Sequence, residues 1–215
     1  MSDKPILHGV NASPFVRKAR IALAEKGIDY ELVPVMPMGQ SAEYLKKSPL
    51  GKIPCWEEGD YILPDSSCII AYLERMHPDP ALYPSDPKQF GRTLWYEEYA
   101  DTKLTEAVTT AFFNRIVKKM MNQEPDEAAV AESLVAAEPV FDYLDGEIAD
   151  REVLVGSHFS VADIAVCSPF VNFAHAGESV DGSRWPQLVA YLGRHLARPS
   201  FKSVIEEEKA ALGTR

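Results

Sequence analysis

The stretch KPILHGVNASPFVRKARIALAEKG, residues 4–27, decides how the chain folds. Lys4 to Gly9 reads as a first strand, and Pro14 to Lys26 as a helix whose Val16, Ala19 and Leu23 share one face. On this reading Arg17, Lys18 and Arg20 stay in water, and Gly27 stops the helix. Between the two elements, Asn11-Ala12-Ser13-Pro14-Phe15 sets a favoured N-cap residue before a favoured first helical residue. Ser13 is therefore expected at the helix start.

Working outward, Tyr30 to Pro34 suggests a second strand, and Gly39 to Lys47 carries a short helix. Cys55 to Trp56 and Tyr61 to Leu63, separated by Glu57 to Asp60, read as a hairpin with a Gly-Asp turn. Ser66 to His77 follows as a helix with Ile69, Leu73 and Met76 on one face. The order is βαβ and then ββα. Pro78, Pro80, Pro84 and Pro87 then mark a linker. Residues 1–78 are thus expected to form an α/β domain, 79–87 the linker and 88–215 an all-α domain. In the latter, Asp86-Pro87 opens a long helix to about Met121, and Asp126 another to about Ala149. Ser160-Val-Ala-Asp163 resembles a capping box before an apolar run, Ile164 to Val171, expected as a buried helix kinked by Pro169. Helices near Gln187 to His195 and Ser200 to Leu212 complete the pattern.

Composition narrows the function. The 215 residues are 46% apolar, enough for a substantial core without staples. Three cysteines without a C-x-x-C or Cys/His cluster suggest neither a disulfide framework nor a metal site, and fit a reducing compartment, the cytoplasm. Met1 to Pro5 lacks the charge pattern of a signal peptide, and no apolar run approaches the roughly 20 residues that span a bilayer. A net charge of −10 argues against nucleic-acid and anionic-membrane partners. A small anion remains compatible, because screening confines distant surface charge to about 10 Å.

Three short segments carry chemistry. A thiolate at the Ser13 helix start would be stabilised by free amides, the helix dipole and a hydroxyl donor. Lowering its pKa by about two units, roughly 2.7 kcal/mol, would make the reactive form the majority near neutral pH. A plain capping serine explains the same residue equally well. Gly51-Lys52-Ile53-Pro54 precedes a strand, where an Ile-Pro bond in the cis form would leave the Ile53 amide and carbonyl ready to pair with an extended peptide; an ordinary trans loop is the alternative. Lys52 is either a carboxylate partner or a solvated surface lysine. Asp65-Ser66-Ser67 opens a helix that offers amides and a hydroxyl to a carboxylate and Asp65 to an ammonium, the zwitterionic end of an amino acid, although capping alone also accounts for Asp65 and Ser66. Together the three sites suit a cysteine-containing tripeptide.

Ala12-Ser13-Pro14-Phe15 through Arg20-Ile21-Ala22-Leu23, Gly51-Lys52-Ile53-Pro54, and Asp65-Ser66 through Ala71-Tyr72-Leu73 resemble, in order and spacing, the N-terminal domain of soluble glutathione transferases, especially serine-type ones such as the plant tau class. The likeness extends more weakly over the helical region, including Ser160-Val-Ala-Asp163. It implies a thioredoxin-like N-terminal domain, an all-helical C-terminal domain forming the electrophile pocket, and a cytoplasmic homodimer that binds glutathione as co-substrate and uses no metal. It also implies that Ser13 donates to the glutathione thiolate, Ile53 pairs with the cysteinyl unit, Pro54 is cis, Asp65 and Ser66 hold the γ-glutamyl end, and Lys52 approaches the glycyl carboxylate. Gln40, expected among the glutathione-binding residues, stands where some relatives place Lys. Phe15, with Phe112 or Phe113, is expected either to line the site or simply to pack in the core. The implied reaction is conjugation of the thiolate to a hydrophobic electrophile, a detoxification chemistry. Alternatives are a non-catalytic glutathione-binding scaffold, a glutathione-dependent isomerase or peroxidase, and activation of the thiol by Asn11 or a backbone amide. A thiol oxidoreductase would present a cysteine where Ser13 stands, and Cys55 and Cys68 are expected to be buried core residues.

Overall fold

The computed structural model describes residues 4–213; residues 1–3 and 214–215, the outer ends of the two expected domains, lie outside the described residues. Two compact units emerge. One runs to Leu82 and takes in Ser203–Gly213; the other runs from Tyr83 to Lys202.

The first unit contains β1 (Ile6–His8), α1 (Pro14–Glu25), β2 (Glu31–Val33), α2 (Ala42–Lys47), β3 (Cys55–Glu58), β4 (Tyr61–Pro64) and α3 (Ser66–Met76). Its sheet has the order β2-β1-β3-β4, with β1 parallel to β2 and both other pairings antiparallel. Leu7 pairs with Leu32 on one side and Trp56 on the other, and Trp56 with Leu63. Val16, Ala19 and Leu23 of α1 and Ile69 and Leu73 of α3 pack with Leu7, Cys55 and Trp56 in one core. β3 extends two residues further than its apolar positions suggest, to a turn at Gly59-Asp60 where Gly59 takes φ 63°, and β4 extends one further, to Pro64. Trp56 Nε1 and the Tyr72 hydroxyl both donate to the added Glu58.

Arg17, Lys18 and Arg20 do not stay in water; they are 0%, 1% and 4% exposed. The reason lies far along the chain. Arg17 donates through Nε and Nη2 to both carboxylate oxygens of Glu208, at 2.8 and 2.6 Å, and neither side chain reaches solvent. Arg20 donates to the Tyr30 hydroxyl at 2.7 Å and pairs with Glu207. These bonds account for Ser203–Gly213 belonging with the first unit, although by sequence it continues the helical region.

The second unit is helical. The long helix expected from Asp86 is α4 (Pro87–Tyr99), a π-helical turn at Ala100–Leu104, α5 (Thr105–Phe112), a second π-helical turn at Phe113–Val117, and α6 (Lys118–Met120). The Ala100 carbonyl accepts both the backbone N–H and, at 2.7 Å, the hydroxyl of Thr105 five residues on. α7 (Glu127–Ile148) follows the cap Asp126, α8 (Val161–His175) is buried along nearly all its length, α9 (Pro186–Leu196) comes next, and α10 (Pro199–Leu212) begins in this unit and from Ser203 belongs to the first. Asp163, fully buried, accepts from the Ser160 and Leu154 amides at 2.9 Å each and from the Tyr191 hydroxyl at 2.8 Å. His195 donates from Nε2 to the Glu152 carbonyl at 2.9 Å, while its Nδ1 is buried without a partner among the described residues. Burial therefore lowers its pKa from 6.5.

Two stability outcomes follow. Glu208→Ala removes the buried carboxylate to which Arg17 donates twice and should cost about 3–5 kcal/mol by urea unfolding. Glu207→Ala, whose side chain is 52% exposed, should cost less than about 1 kcal/mol. For His195 the unfolded state binds the proton more tightly than the folded one. Stability should thus fall as pH drops below about 6.5, and His195→Gln should flatten that slope in urea titrations at successive pH values; an unchanged slope would assign it to other groups.

Candidate functional site

Strand pairing gathers the three sequence segments. His8 ends β1 opposite Cys55 at the start of β3, so the turn leading to Ser13 leaves the sheet where Ile53-Pro54 enters it. Cys55 also faces Pro64, the last residue of β4, which brings Asp65 to the same end. The Asp65 amide donates to the Pro54 carbonyl at 3.1 Å. Gly9 permits the close return of the chain toward α1: a Cβ there would lie 2.5 Å from Val16 Cγ2.

Ser13 is the N-cap of α1, with extended backbone (φ −76°, ψ 127°). Its Oγ accepts from the Val16 amide at a long 3.4 Å, and its amide donates to the Val10 carbonyl at 3.2 Å. Among the described residues nothing accepts its hydroxyl hydrogen, and of the first-turn amides of α1 that of Phe15 has no partner, since Pro14 has no N–H and the Val16 and Arg17 amides donate to Ser13. Phe15, half-buried, occupies the first turn of the same helix.

The Ile53-Pro54 peptide bond is cis, and the Ile53 side chain is buried. Among the described residues neither the Ile53 N–H nor its C=O has a hydrogen-bond partner. An extended peptide laid alongside would satisfy both. Lys52 is exposed and has no carboxylate partner among the described residues. Gln40 is turned inward instead: its Nε2 donates to the Gly51 carbonyl at 2.7 Å. That bond supports the turn and occupies a group expected to face a ligand.

Asp65 adopts φ 81°, ψ 131°, a region that L side chains rarely enter, while its Oδ1 accepts from the Ser67 and Cys68 amides at 2.9 and 3.1 Å. Its carboxylate stays exposed at the mouth of α3, and Ser66 beside it is buried. Capping and an outward-facing carboxylate thus coexist in one residue.

Other groups fall outside this set. Cys55 is buried, and burial pushes its thiol up to about 11. Cys68, expected in the core, is exposed, because its place in the first turn of α3 lies off the face formed by Ile69, Ile70 and Leu73. Phe112 is buried in the second unit and Phe113 is 44% exposed. Sequence reading passed over Tyr44 and Ser48, whose hydroxyls both donate to the Lys52 carbonyl. His8, Lys47 and Glu57 form a cluster at the β1–β3 junction, and hydrogen bonds from Lys47 and His8 hold the Glu57 carboxyl below its usual range. Among the described residues no three His, Cys, Asp or Glu side chains form a group that could hold a metal ion, and no helix is long and apolar enough to cross a membrane.

Comparison with known proteins gives the family. A family model described as the glutathione S-transferase N-terminal domain matches residues 7–81, and one described as the glutathione S-transferase C-terminal domain matches residues 101–199. The chain is 31% identical over 207 residues to a glutathione S-transferase of Hyoscyamus muticus, covering 93% of this chain and 97% of the relative. A glutathione S-transferase structure from Rhodospirillum rubrum superposes with TM-score 0.85 at 26% identity over 93% of this chain and 91% of that one. One from Methylobacterium radiotolerans, in complex with glutathione sulfonate, does so with TM-score 0.74 at 29% identity over 94% of both chains. The chain belongs to the glutathione S-transferase family.

Proposed function

We propose that this protein transfers the thiolate of glutathione to electrophilic small molecules and that Ser13 is the hydroxyl that donates to the sulfur. The carrying observation is the Ser13 Oγ at the start of α1, its own hydrogen uncommitted among the described residues, at the sheet end shared by Ile53 and Asp65. A sulfur bound there would meet a hydroxyl donor, the Phe15 amide and the positive end of the helix dipole, each of which favours the anion. The unpaired Ile53 edge suits the cysteinyl main chain. Asp65 and Ser66 suit the γ-glutamyl ammonium and carboxylate, and Lys52 suits the glycyl carboxylate. The protein's part is to stabilise the nucleophile and fix its position; no redox change is needed when a thiolate displaces a leaving group on carbon.

The serine-type assignment rests on Ser13, and the likeness to the tau class on the motif around it. Assembly as a homodimer in the cytoplasm belongs to the same proposal.

Ser13→Ala should keep glutathione affinity within a few fold and lower conjugation of a reactive aryl halide at least tenfold. Unchanged turnover would transfer the role to another donor, such as Asn11 or a backbone amide. Asp65→Ala should weaken glutathione binding in calorimetry, and failure of the unmutated protein to bind would favour a scaffold. Light scattering should return a mass near twice the 23.9 kDa chain, and a single-chain mass would contradict the dimer.

A further inference from the structure

The turn that presents Ile53 is braced from behind by side chains to which the proposed reaction assigns no role. Gln40 Nε2 donates to the Gly51 carbonyl at 2.7 Å. The next carbonyl, that of Lys52, accepts twice, from the Tyr44 hydroxyl and from the Ser48 hydroxyl, each at 2.8 Å. Tyr44 and Ser48 are 6% and 1% exposed, and Tyr44 belongs to the core with Leu7, Ile53 and Trp56. Its ring meets His8 edge-on at 6.1 Å. Both hydroxyls are therefore anchored in the first unit rather than on a loose surface helix.

The Lys52 carbonyl and the Ile53 N–H belong to one peptide unit. In a trans peptide the two point in opposite directions, so whatever fixes the oxygen also aims the hydrogen. Two donors on one oxygen draw electron density toward it and make the N–H at the other end a stronger donor, as in hydrogen-bonded chains. That N–H has no partner among the described residues.

We infer that Tyr44 and Ser48 are positioning residues for the tripeptide: acting through the Lys52–Ile53 peptide, they orient and polarise the Ile53 N–H that donates to the cysteinyl main-chain carbonyl. The inference rests on the proposed glutathione reading of the site. Neither residue touches the ligand. Burial keeps the Tyr44 phenol protonated, its pKa pushed up to about 12, so the donor is present throughout the neutral range. The sulfur itself is governed separately, at Ser13. Losing a brace should consequently weaken glutathione binding while leaving the thiolate chemistry of the saturated enzyme nearly intact.

The test compares Tyr44→Phe and Ser48→Ala with the unmutated protein in calorimetry. The probes are glutathione and an analogue whose cysteinyl carbonyl is replaced by a methylene group. Each variant should raise the Kd for glutathione about fivefold, the effect of one ordinary hydrogen bond. The Kd for the methylene analogue should not change, because it lacks the acceptor. In steady-state conjugation the KM for glutathione should rise while kcat stays within about twofold. In ligand-free protein the Ile53 amide proton should move upfield in nuclear magnetic resonance spectra of either variant. Equal weakening of both probes, a fall in kcat matching the rise in KM, or an unmoved Ile53 amide would overturn the inference. Ser48→Ala keeps the question answerable if Tyr44→Phe fails to fold. Absence of glutathione binding by the unmutated protein would overturn the reading of the site, and the ligand-free Ile53 shift distinguishes that failure from failure of the brace.

Discussion

The register of β1 is the constraint on which the rest of the first unit depends. This strand is only three residues long, yet Leu7 at its centre is fully buried and faces Leu32 on one edge and Trp56 on the other. A slip of one residue would turn Leu7 out of the core and bring a neighbour in, so the apolar pattern pins the pairing. Once it is pinned, the start of α1, the Ile53-Pro54 turn and the start of α3 emerge at the same end of the sheet. No single contact among Ser13, Ile53 and Asp65 has to assemble the site, since the sheet does so. Such a site inherits the rigidity of the core beneath it, which a constellation carried only by loops would lack.

What sequence discloses about this arrangement depends on how local the physics is. Ser13 and Asp65 were legible because capping is decided within four residues: the Ser13 Oγ meets the Val16 amide, and the Asp65 carboxylate meets the amides of Ser67 and Cys68. The Gly59-Asp60 turn was legible for the same reason. The fate of Arg17 and Arg20 was not, because their partners Glu208 and Glu207 lie near the far end of the chain. A helical wheel cannot tell a cation facing water from one facing a buried carboxylate. Tyr44 and Ser48 were hidden differently: their partner is a backbone carbonyl, which leaves no complementary residue in the sequence to notice.

The second unit shows a related limit. Its helices announce themselves by caps at Asp86, Asp126 and Ser160, but the hydrogen-bonding pattern inside the long one does not. Backbone dihedrals at the junctions, such as φ −69°, ψ −43° at Ala100, are ordinary right-handed helix, so nothing in residue preference distinguishes a π-helical turn there. At the first turn the Thr105 and Thr102 hydroxyls donate to the Ala100 and Glu98 carbonyls, and such back-bonding also occurs in ordinary helices, so it does not signal the turn. Asp163 behaves oppositely. Its spacing from Ser160 gave the capping box, whereas its further bonds to Leu154 and Tyr191 required the fold.

The first unit also explains why its nucleophile is better supplied by a ligand than by its own cysteines. Cys55 lies on β3, at the sheet end where the site forms, yet burial pushes its thiol up to about 11, leaving almost none of it ionised at neutral pH. Burial is the main cause, and the Glu57 carboxylate adds to it against the opposing Lys47 ammonium. At Ser13 the physics is reversed. A sulfur bound there, as proposed, would meet a hydroxyl donor, the Phe15 amide and the helix dipole, whose combined worth of about 2–4 kcal/mol covers a two-unit fall in pKa. A cysteine at position 13 would also be stabilised, but it would occupy the place of the incoming sulfur and direct the site toward disulfide exchange. Serine keeps the helix-start stabilisation without a competing thiol, and so favours attack on carbon by a borrowed sulfur over exchange with it.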